Sequence, residues 1–273
     1  MNLLELKSEN QIKLFNYDKY FLNLVHLYNN KKLPNKIIFS GKKGIGKATF
    51  AYHLINYIFS TKQDFNYDIE KFQINLNNKS YNLLLNKSHP NFHLIDLLED
   101  KKNIEISQIR DVYKFVNKSS FNNREKIVLI NNAEKLNLNS SNALLKIVEE
   151  PNDKVFFIII YDSSKKILDT LKSRCLKFNF HLSYDMCIDT ANKIVEGNIF
   201  DSINKNLVNY YSSAGDLINL LKISDSLKID ISKINLKDFL ITLIDKKYYL
   251  KNQYVKNYIF SYIDFYFLNL INF

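Results

Sequence analysis

A glycine-rich loop between a short apolar run and a helical pattern constrains this chain more than any other feature. Gly41, Gly44 and Gly46 fall close together, although the chain has only 5 glycines in all. The segment before them reads KIIFS, and the segment after them reads KATFAYHLINYIF, in which apolar residues recur at helical spacing. This order predicts a buried strand, a tight loop and a helix.

The loop fits the phosphate-binding pattern G-x-x-x-x-G-K, which runs here from Gly41 to Lys47. In such loops the glycines let backbone N–H groups turn inward, the following helix adds positive potential, and the lysine meets the outer phosphates. The alternative is a glycine-rich turn with a solvated lysine. The pattern predicts a phosphate loop but leaves open whether ATP or ADP is bound. Its candidate binding residues are Gly41, Gly44, Gly46, Lys47, Ala48 and Thr49.

Both positions that would anchor magnesium are altered. The residue after Lys47 normally carries a hydroxyl for Mg²⁺, but here it is Ala48. Thr49 comes one residue late, which turns its side chain by about 100° on a helix. The second anchor is an Asp at the end of a buried strand, and Asn131 and Asn132 stand there instead. We therefore predict a degenerate loop without useful hydrolysis and without a metal site.

Apolar runs alternate with helical patterns over residues 1–180 and predict a three-layer α/β domain with a parallel sheet. After Phe180 the strands cease and the patterns are helical. The predicted later strands are 92–97, 127–131, 155–160 and 176–180, and the predicted helices between them are 105–118 and 140–150.

The sequence predicts where the helix over residues 140–150 begins and ends. Ser140 or Asn139 is expected to cap its start. Glu149 and Glu150 are expected to close it before Pro151, which cannot continue a helix.

The basic residues say little about function. The net charge is +10, with Lys+Arg 38 against Asp+Glu 28. Lys, Asn, Ile, Phe and Tyr are abundant whereas Gly and Pro are scarce, a bias that indicates an A/T-rich genome and by itself produces surplus lysine. The charge therefore supports only weakly the hypothesis of a general DNA-binding protein.

Arginine is rare in this chain, occurring only as Arg110, Arg124 and Arg174. Arg174 lies in LKSRC, directly before the last predicted strand. The planar fork of an arginine grips phosphate oxygens at two points, which a lysine does not. From the residues alone, a phosphate-gripping role and an ordinary surface or salt-bridge role are equally supported.

Several segments of the chain resemble one protein family in the same order. They are KIIFSGKKGIGKATFA, SHPNFHLID, IEISQIRDVYKF, KIVLINNAEKLNLNSSNALLKIVEEP and LDTLKSRC. Together they resemble the delta prime subunits of bacterial DNA polymerase III clamp loaders, over about residues 33–180. The stretches NSSNALLKIVEEP and SRC are the most specific part of this resemblance.

The resemblance implies a fold and a division into domains. It implies an AAA+ P-loop domain with three αβα layers over residues 1–180, a helical lid over 181–223 and a short helical collar over 224–273. We expect that the chain requires no cofactor. No zinc is expected, because residues 61–90 contain no cysteine. Asp216 stands where the lid of active AAA+ proteins often carries a sensor arginine.

The resemblance also implies a role in DNA replication. The chain would be a stator that does not hydrolyse ATP, and Arg174 would act in trans as an arginine finger on ATP held by the neighbouring subunit. The implied partners are the gamma/tau and delta subunits, and, through the complex, the sliding clamp and primed DNA. The alternative is an active P-loop ATPase, such as a gamma/tau-type subunit, or a nucleotide kinase. Ala48 and Asn131 count against both.

The remaining sequence features predict a cytoplasmic protein without a membrane anchor. The two cysteines, Cys175 and Cys187, are too few for a disulfide scaffold. The start of the chain shows no signal-peptide pattern. The apolar stretch near the C-terminus is short for a membrane span and contains Asp264.

Overall fold

The computed structural model describes residues 6–98, 101–149, 154–251 and 253–271. These residues form two compact units. The first unit is Lys7–His181, and the second takes in Leu6 and the described residues from Leu182 onward.

The first unit is built around a sheet of five parallel strands. The strands are β1 Lys36–Gly41, β2 Phe92–Ile95, β3 Lys126–Ile130, β4 Val155–Asp162 and β5 Leu176–Asn179. They lie in the order β2-β3-β4-β1-β5. Because β1 pairs with β4 on one side and β5 on the other, the loop that follows it leaves the interior of the sheet. The predicted α/β class with a parallel sheet is confirmed.

Six α-helices accompany this sheet within the described residues of the first unit. They are α1 Asp18–Asn29, α2 Lys47–Ser60, α3 Lys79–Leu85, α4 Ile106–Asn117, α5 Leu138–Glu149 and α6 Asp169–Lys172. The predicted helices 105–118 and 140–150 correspond to α4 and α5. The expected end of α5 at Glu150 and Pro151 lies outside the described residues.

Alternation along β1 explains why helices cover both faces of the sheet. Ile38 belongs to a buried cluster with Val112 of α4 and Leu144 of α5. The next residue, Phe39, contacts Phe50 of α2, with 5.4 Å between the ring centroids. Successive side chains of a strand point to opposite faces, so β1 is buried between two helical layers. Each such buried side chain contributes about 1.5–3 kcal/mol to folding.

The start of α5 differs from the prediction. Asn139 and Ser140 lie inside the helix, which begins at Leu138. The side chain of Asn137 accepts a hydrogen bond from the backbone N–H of Ser140 at 2.8 Å and caps the helix instead. Ser140 is fully buried, and its hydroxyl donates to the carbonyl of Ile104 at 3.0 Å. The hydroxyl of Ser140 is therefore used within the core and does not cap the helix.

The described residues of the second unit form a helical domain. Its helices are α7 Tyr184–Val195, α8 Ala214–Leu227, α9 Leu236–Asp245, α10 Tyr248–Lys251 and α11 Gln253–Ile271. Their core includes Leu217 of α8, Phe239 of α9 and Val255 of α11. The helical C-terminal region is therefore confirmed. Its division into a lid over 181–223 and a collar over 224–273 stays a prediction, and the boundary falls within α8.

The apolar C-terminal stretch forms most of α11, and part of it packs inside the second unit. Tyr262 contacts Phe239 of α9, with 5.7 Å between the ring centroids. Across the described ranges of the chain, no helix is both long enough and apolar enough to cross a bilayer.

Candidate functional site

The glycine-rich loop joins β1 to α2 at the carboxyl edge of the sheet. Gly46 immediately precedes α2 and has a φ of 89°, a left-handed conformation that an L side chain rarely adopts. Gly41 needs to be glycine for a different reason, because a Cβ there would lie 2.6 Å from the backbone oxygen of Phe180. The rare glycines therefore stand where a side chain would distort the loop.

Tyr17 holds this loop from the preceding segment. Its hydroxyl donates to the carbonyl of Ile45 at 2.7 Å, and the residue is only 2% exposed. Its ring also makes edge contacts with Phe50 and Phe180, at centroid distances of 5.7 and 5.3 Å. No sequence pattern pointed to Tyr17, since the contact spans 28 residues of chain.

Lys47 points back into the loop. Its Nζ donates to the carbonyl of Gly41 at 2.7 Å and to that of Lys42 at 2.6 Å. Burial lowers the pKa of Lys47 to about 8, and the carboxylates of Asp162 and Glu134 partly oppose this shift. The lysine therefore stays mostly protonated at neutral pH.

Two carboxylates line the same cavity as Lys47. Glu134 follows β3, and Asp162 ends β4, where it pairs in register with Gly41 of β1. The Glu134 Oε2 atom accepts a hydrogen bond from the backbone N–H of Asp162 at 3.1 Å. The cavity is small, about 240 Å³, against the ~300–1,000 Å³ that is typical of small-molecule sites. Two negative charges thus face the space where phosphates would enter.

The structure places the two altered magnesium positions at this cavity. Ala48 lines it, whereas Thr49 is not among its described lining residues. Asn131 and Asn132 line it as well, but both of their amides donate to Asp96, at 2.9 and 2.6 Å. Neither anchor position therefore offers a free anionic oxygen to a cation.

Asp96 is a residue that sequence reasoning missed. It follows β2 directly, and β2 lies beside β3, so its carboxylate reaches the two asparagines. It also accepts a hydrogen bond from the backbone N–H of Leu97 at 2.7 Å. The Asp96 carboxylate thus accepts three hydrogen bonds, and those from the two asparagines join the end of β2 to the end of β3. An Asp directly after an apolar strand was the only available signal.

Arg174 lies between α6 and β5, away from the loop in sequence. Its Nη2 atom is 2.8 Å from Oε1 of Glu149, and 38% of the arginine side chain and 45% of the glutamate side chain are exposed. Its Nη1 atom donates to the carbonyl of Thr170 at 2.9 Å. The guanidinium is therefore oriented by two contacts yet accessible from outside.

Other residues that the sequence analysis considered have structural roles. Burial raises the pKa of Cys175 to about 11, so its thiol is not an activated nucleophile. Asp216 accepts hydrogen bonds from the backbone N–H and hydroxyl of Ser213 and closes the capping box of α8. Among the described residues, no group of three or more His, Cys, Asp or Glu side chains is arranged to hold a metal ion.

A family model and two similar proteins point to subunits of DNA polymerase III. A family model described as DNA polymerase III, delta subunit, matches residues 17–183. DNA polymerase III subunit delta' of Pseudomonas aeruginosa is 35% identical over 99 residues, which cover 36% of this chain and 30% of that protein. Subunit delta' of Bacillus subtilis is 26% identical over 197 residues, covering 71% of this chain and 56% of that protein.

A related subunit type also matches. DNA polymerase III subunit gamma/tau of Mycoplasma genitalium is 30% identical over 174 residues, covering 63% of this chain and 28% of that protein. The chain therefore matches between about a quarter and just over half of the length of these relatives.

A solved structure from Thermotoga maritima is also similar. It is a DNA polymerase III gamma subunit-related protein with 17% identity and a TM-score of 0.47, covering 81% of this chain and 62% of that one. A likeness at this score carries no argument about function.

Proposed function

We propose that this chain, which belongs to the family of DNA polymerase III delta subunits, acts as a stator that hydrolyses no ATP. Its relatives show that it is a delta prime-like clamp-loader subunit. In this role it assembles with gamma/tau and delta subunits in the cytoplasm. Through that complex it takes part in placing a sliding clamp on primed DNA.

Arg174 carries this proposal. It combines the fork that suits phosphate oxygens with an accessible position and an orientation fixed by Glu149 and Thr170. Neither acceptor belongs to the chain's own phosphate cavity. We propose that the guanidinium reaches ATP on the neighbouring ATPase subunit and stabilises charge on the transferring phosphoryl group.

The chain's own loop supports the other half of the proposal. Ala48 offers no hydroxyl to magnesium, and Asn131 and Asn132 are bound to Asp96. Without its metal anchors, a phosphate loop has lost the cation that neutralises the developing charge. The chain's catalytic contribution is then made in its partner's site.

The isolated chain is expected to show no ATP turnover above that of Lys47→Ala, because neither magnesium anchor is in place. Phosphate release from purified protein measures this. Steady hydrolysis that Lys47→Ala abolishes would instead identify an active P-loop ATPase, and phosphate transfer to a nucleotide would identify a kinase.

We expect nucleotide binding by the loop to be weak, because Glu134 and Asp162 oppose an incoming phosphate. The double variant Glu134→Gln/Asp162→Asn is expected to bind ADP about tenfold more tightly, which corresponds to about 1.4 kcal/mol of relieved repulsion. The glutamine oxygen still accepts the hydrogen bond from the backbone of residue 162. Isothermal titration with ADP, with and without Mg²⁺, measures the change.

The control for this prediction is Asp169→Asn, which removes an exposed carboxylate that does not line the cavity. It is expected to leave ADP affinity unchanged. Equal affinities of the double variant and the unmodified chain would show that the two carboxylates do not limit binding.

A further inference from the structure

Only some of the N–H donors of the Arg174 guanidinium are engaged in contacts within the chain. A guanidinium has five N–H donors. Glu149 takes one from Nη2, and Thr170 takes one from Nη1. Gripping a phosphate group at two points needs two donors. The side chain can therefore keep both contacts and still bind a phosphate.

The two acceptors are fixed by the core beneath them. Glu149 ends the described part of α5, and its neighbour Val148 is fully buried. Thr170 lies in α6, whose Leu171 belongs to the same buried cluster as Val148. Because the two helices share this cluster, they present the carboxylate and the carbonyl as a defined pair.

We propose that Glu149 is a positioning residue for Arg174, whose carboxylate holds the guanidinium in the orientation from which it meets the neighbouring subunit's ATP. This inference rests on the function proposed above. A free arginine side chain samples many rotamers, and fixing it beforehand removes an entropy cost from the reaction. An ion pair this exposed adds little to stability, so its main effect is on activity.

The test uses single-turnover ATP hydrolysis by a complex reconstituted with gamma/tau, delta, clamp and primed DNA. The hydrolysis phase that Arg174→Ala slows most identifies the site that Arg174 serves. Glu149→Ala is expected to slow this same phase about fivefold while its dependence on ATP concentration stays unchanged, because the arginine acts on charge that develops in the transition state.

Three further variants make the test specific. Glu149→Gln keeps an acceptor oxygen and is expected to recover part of the rate; it also serves if Glu149→Ala folds poorly. Asp169→Ala removes a comparable exposed ion pair, with Lys172 at 2.9 Å, and is expected to change nothing. In the Arg174→Ala background, Glu149→Ala is expected to have no further effect.

The possible failures are distinguishable. If Arg174→Ala slows no phase, the proposed function itself is wrong. If it slows a phase that Glu149→Ala leaves unchanged, only the positioning role is wrong. If Glu149→Ala slows hydrolysis equally in the Arg174→Ala background, the glutamate acts independently of the arginine and the inference is overturned.

Discussion

A clamp-loader complex that carries Arg174→Ala is expected to hydrolyse ATP at least about a hundredfold more slowly at the site that we propose this residue contacts. Arginine fingers of other phosphoryl-transfer systems contribute about 10³–10⁵ in rate. The fold and assembly are expected to survive, because the pair with Glu149 is partly exposed and such pairs contribute only about 0.2–1 kcal/mol. Single-turnover hydrolysis in the presence of clamp and primed DNA measures the loss.

Two variants control this experiment. Arg110→Ala removes an exposed arginine of α4 and is expected to leave hydrolysis unchanged. Lys47→Ala is expected to have a smaller effect than Arg174→Ala, since the chain's own loop lacks both magnesium anchors. An Arg174→Ala complex with full activity at every site would refute the finger assignment.

The unfolding free energy is expected to fall between pH 6.5 and pH 4, and the most deeply buried histidine, His53, is one cause; burial also lowers the pKa of His89 to about 4. His53 is fully buried, and burial lowers the pKa of its imidazole to about 4. Its Nε2 lies 3.0 Å from the carbonyl of Gln11 and its Nδ1 lies 2.8 Å from the hydroxyl of Tyr67. The neutral ring satisfies both contacts by donating to the carbonyl and accepting from the hydroxyl.

The direction of the effect follows from the two pKa values. The unfolded histidine titrates near 6.5 and the folded one near 4, so the unfolded state takes up a proton first as the pH falls. The stabilisation from His53 is therefore complete above pH 6.5 and lost by pH 4. A shift of this size corresponds to about 3 kcal/mol.

Denaturant unfolding at pH 7 and pH 5 measures this dependence. His53→Gln is expected to flatten it by about 2 kcal/mol over that interval. His181→Gln, at an exposed histidine, is expected to retain the slope of the unmodified chain. If His53→Gln keeps the full slope of the unmodified chain, the imidazole of His53 does not contribute to it.

The strand–loop–helix around the glycines and the approximate positions of the later strands were predictable because they depend on neighbours a few residues away. The glycines before Lys47 predicted the loop, and the helical spacing of the apolar residues after it predicted the helix. The apolar runs likewise read as buried strands. The inference of an A/T-rich genome stays a prediction, as does the cytoplasmic location.

The chemistry around the loop was not predictable in the same way. Asp96 reaches Asn131 across 35 residues of chain, and the glutamate that meets Arg174 sits at the far end of another helix. The cap of α5 was predicted wrongly because three polar residues that can cap a helix, Asn137, Asn139 and Ser140, lie within four positions. Each of these outcomes depends on which surfaces become buried together.

The amino-acid sequence by itself predicted a strand–loop–helix, with Ala48 and Asn131 at the expected magnesium positions, and one arginine directly before a later strand. The tertiary structure alone decided that Glu134 and Asp162 line the same cavity as Lys47 and that Glu149 pairs with Arg174. For the carboxylates beside Lys47 the physical reason is the strand order β2-β3-β4-β1-β5, which brings the carboxyl ends of separate strands together. Glu149 and Arg174 instead precede β4 and β5, and they meet because α5 and α6 share a buried cluster. The hydrophobic period within a segment predicts a helix or a strand. It does not predict which charged side chains come into contact, because that depends on how the elements pack against each other.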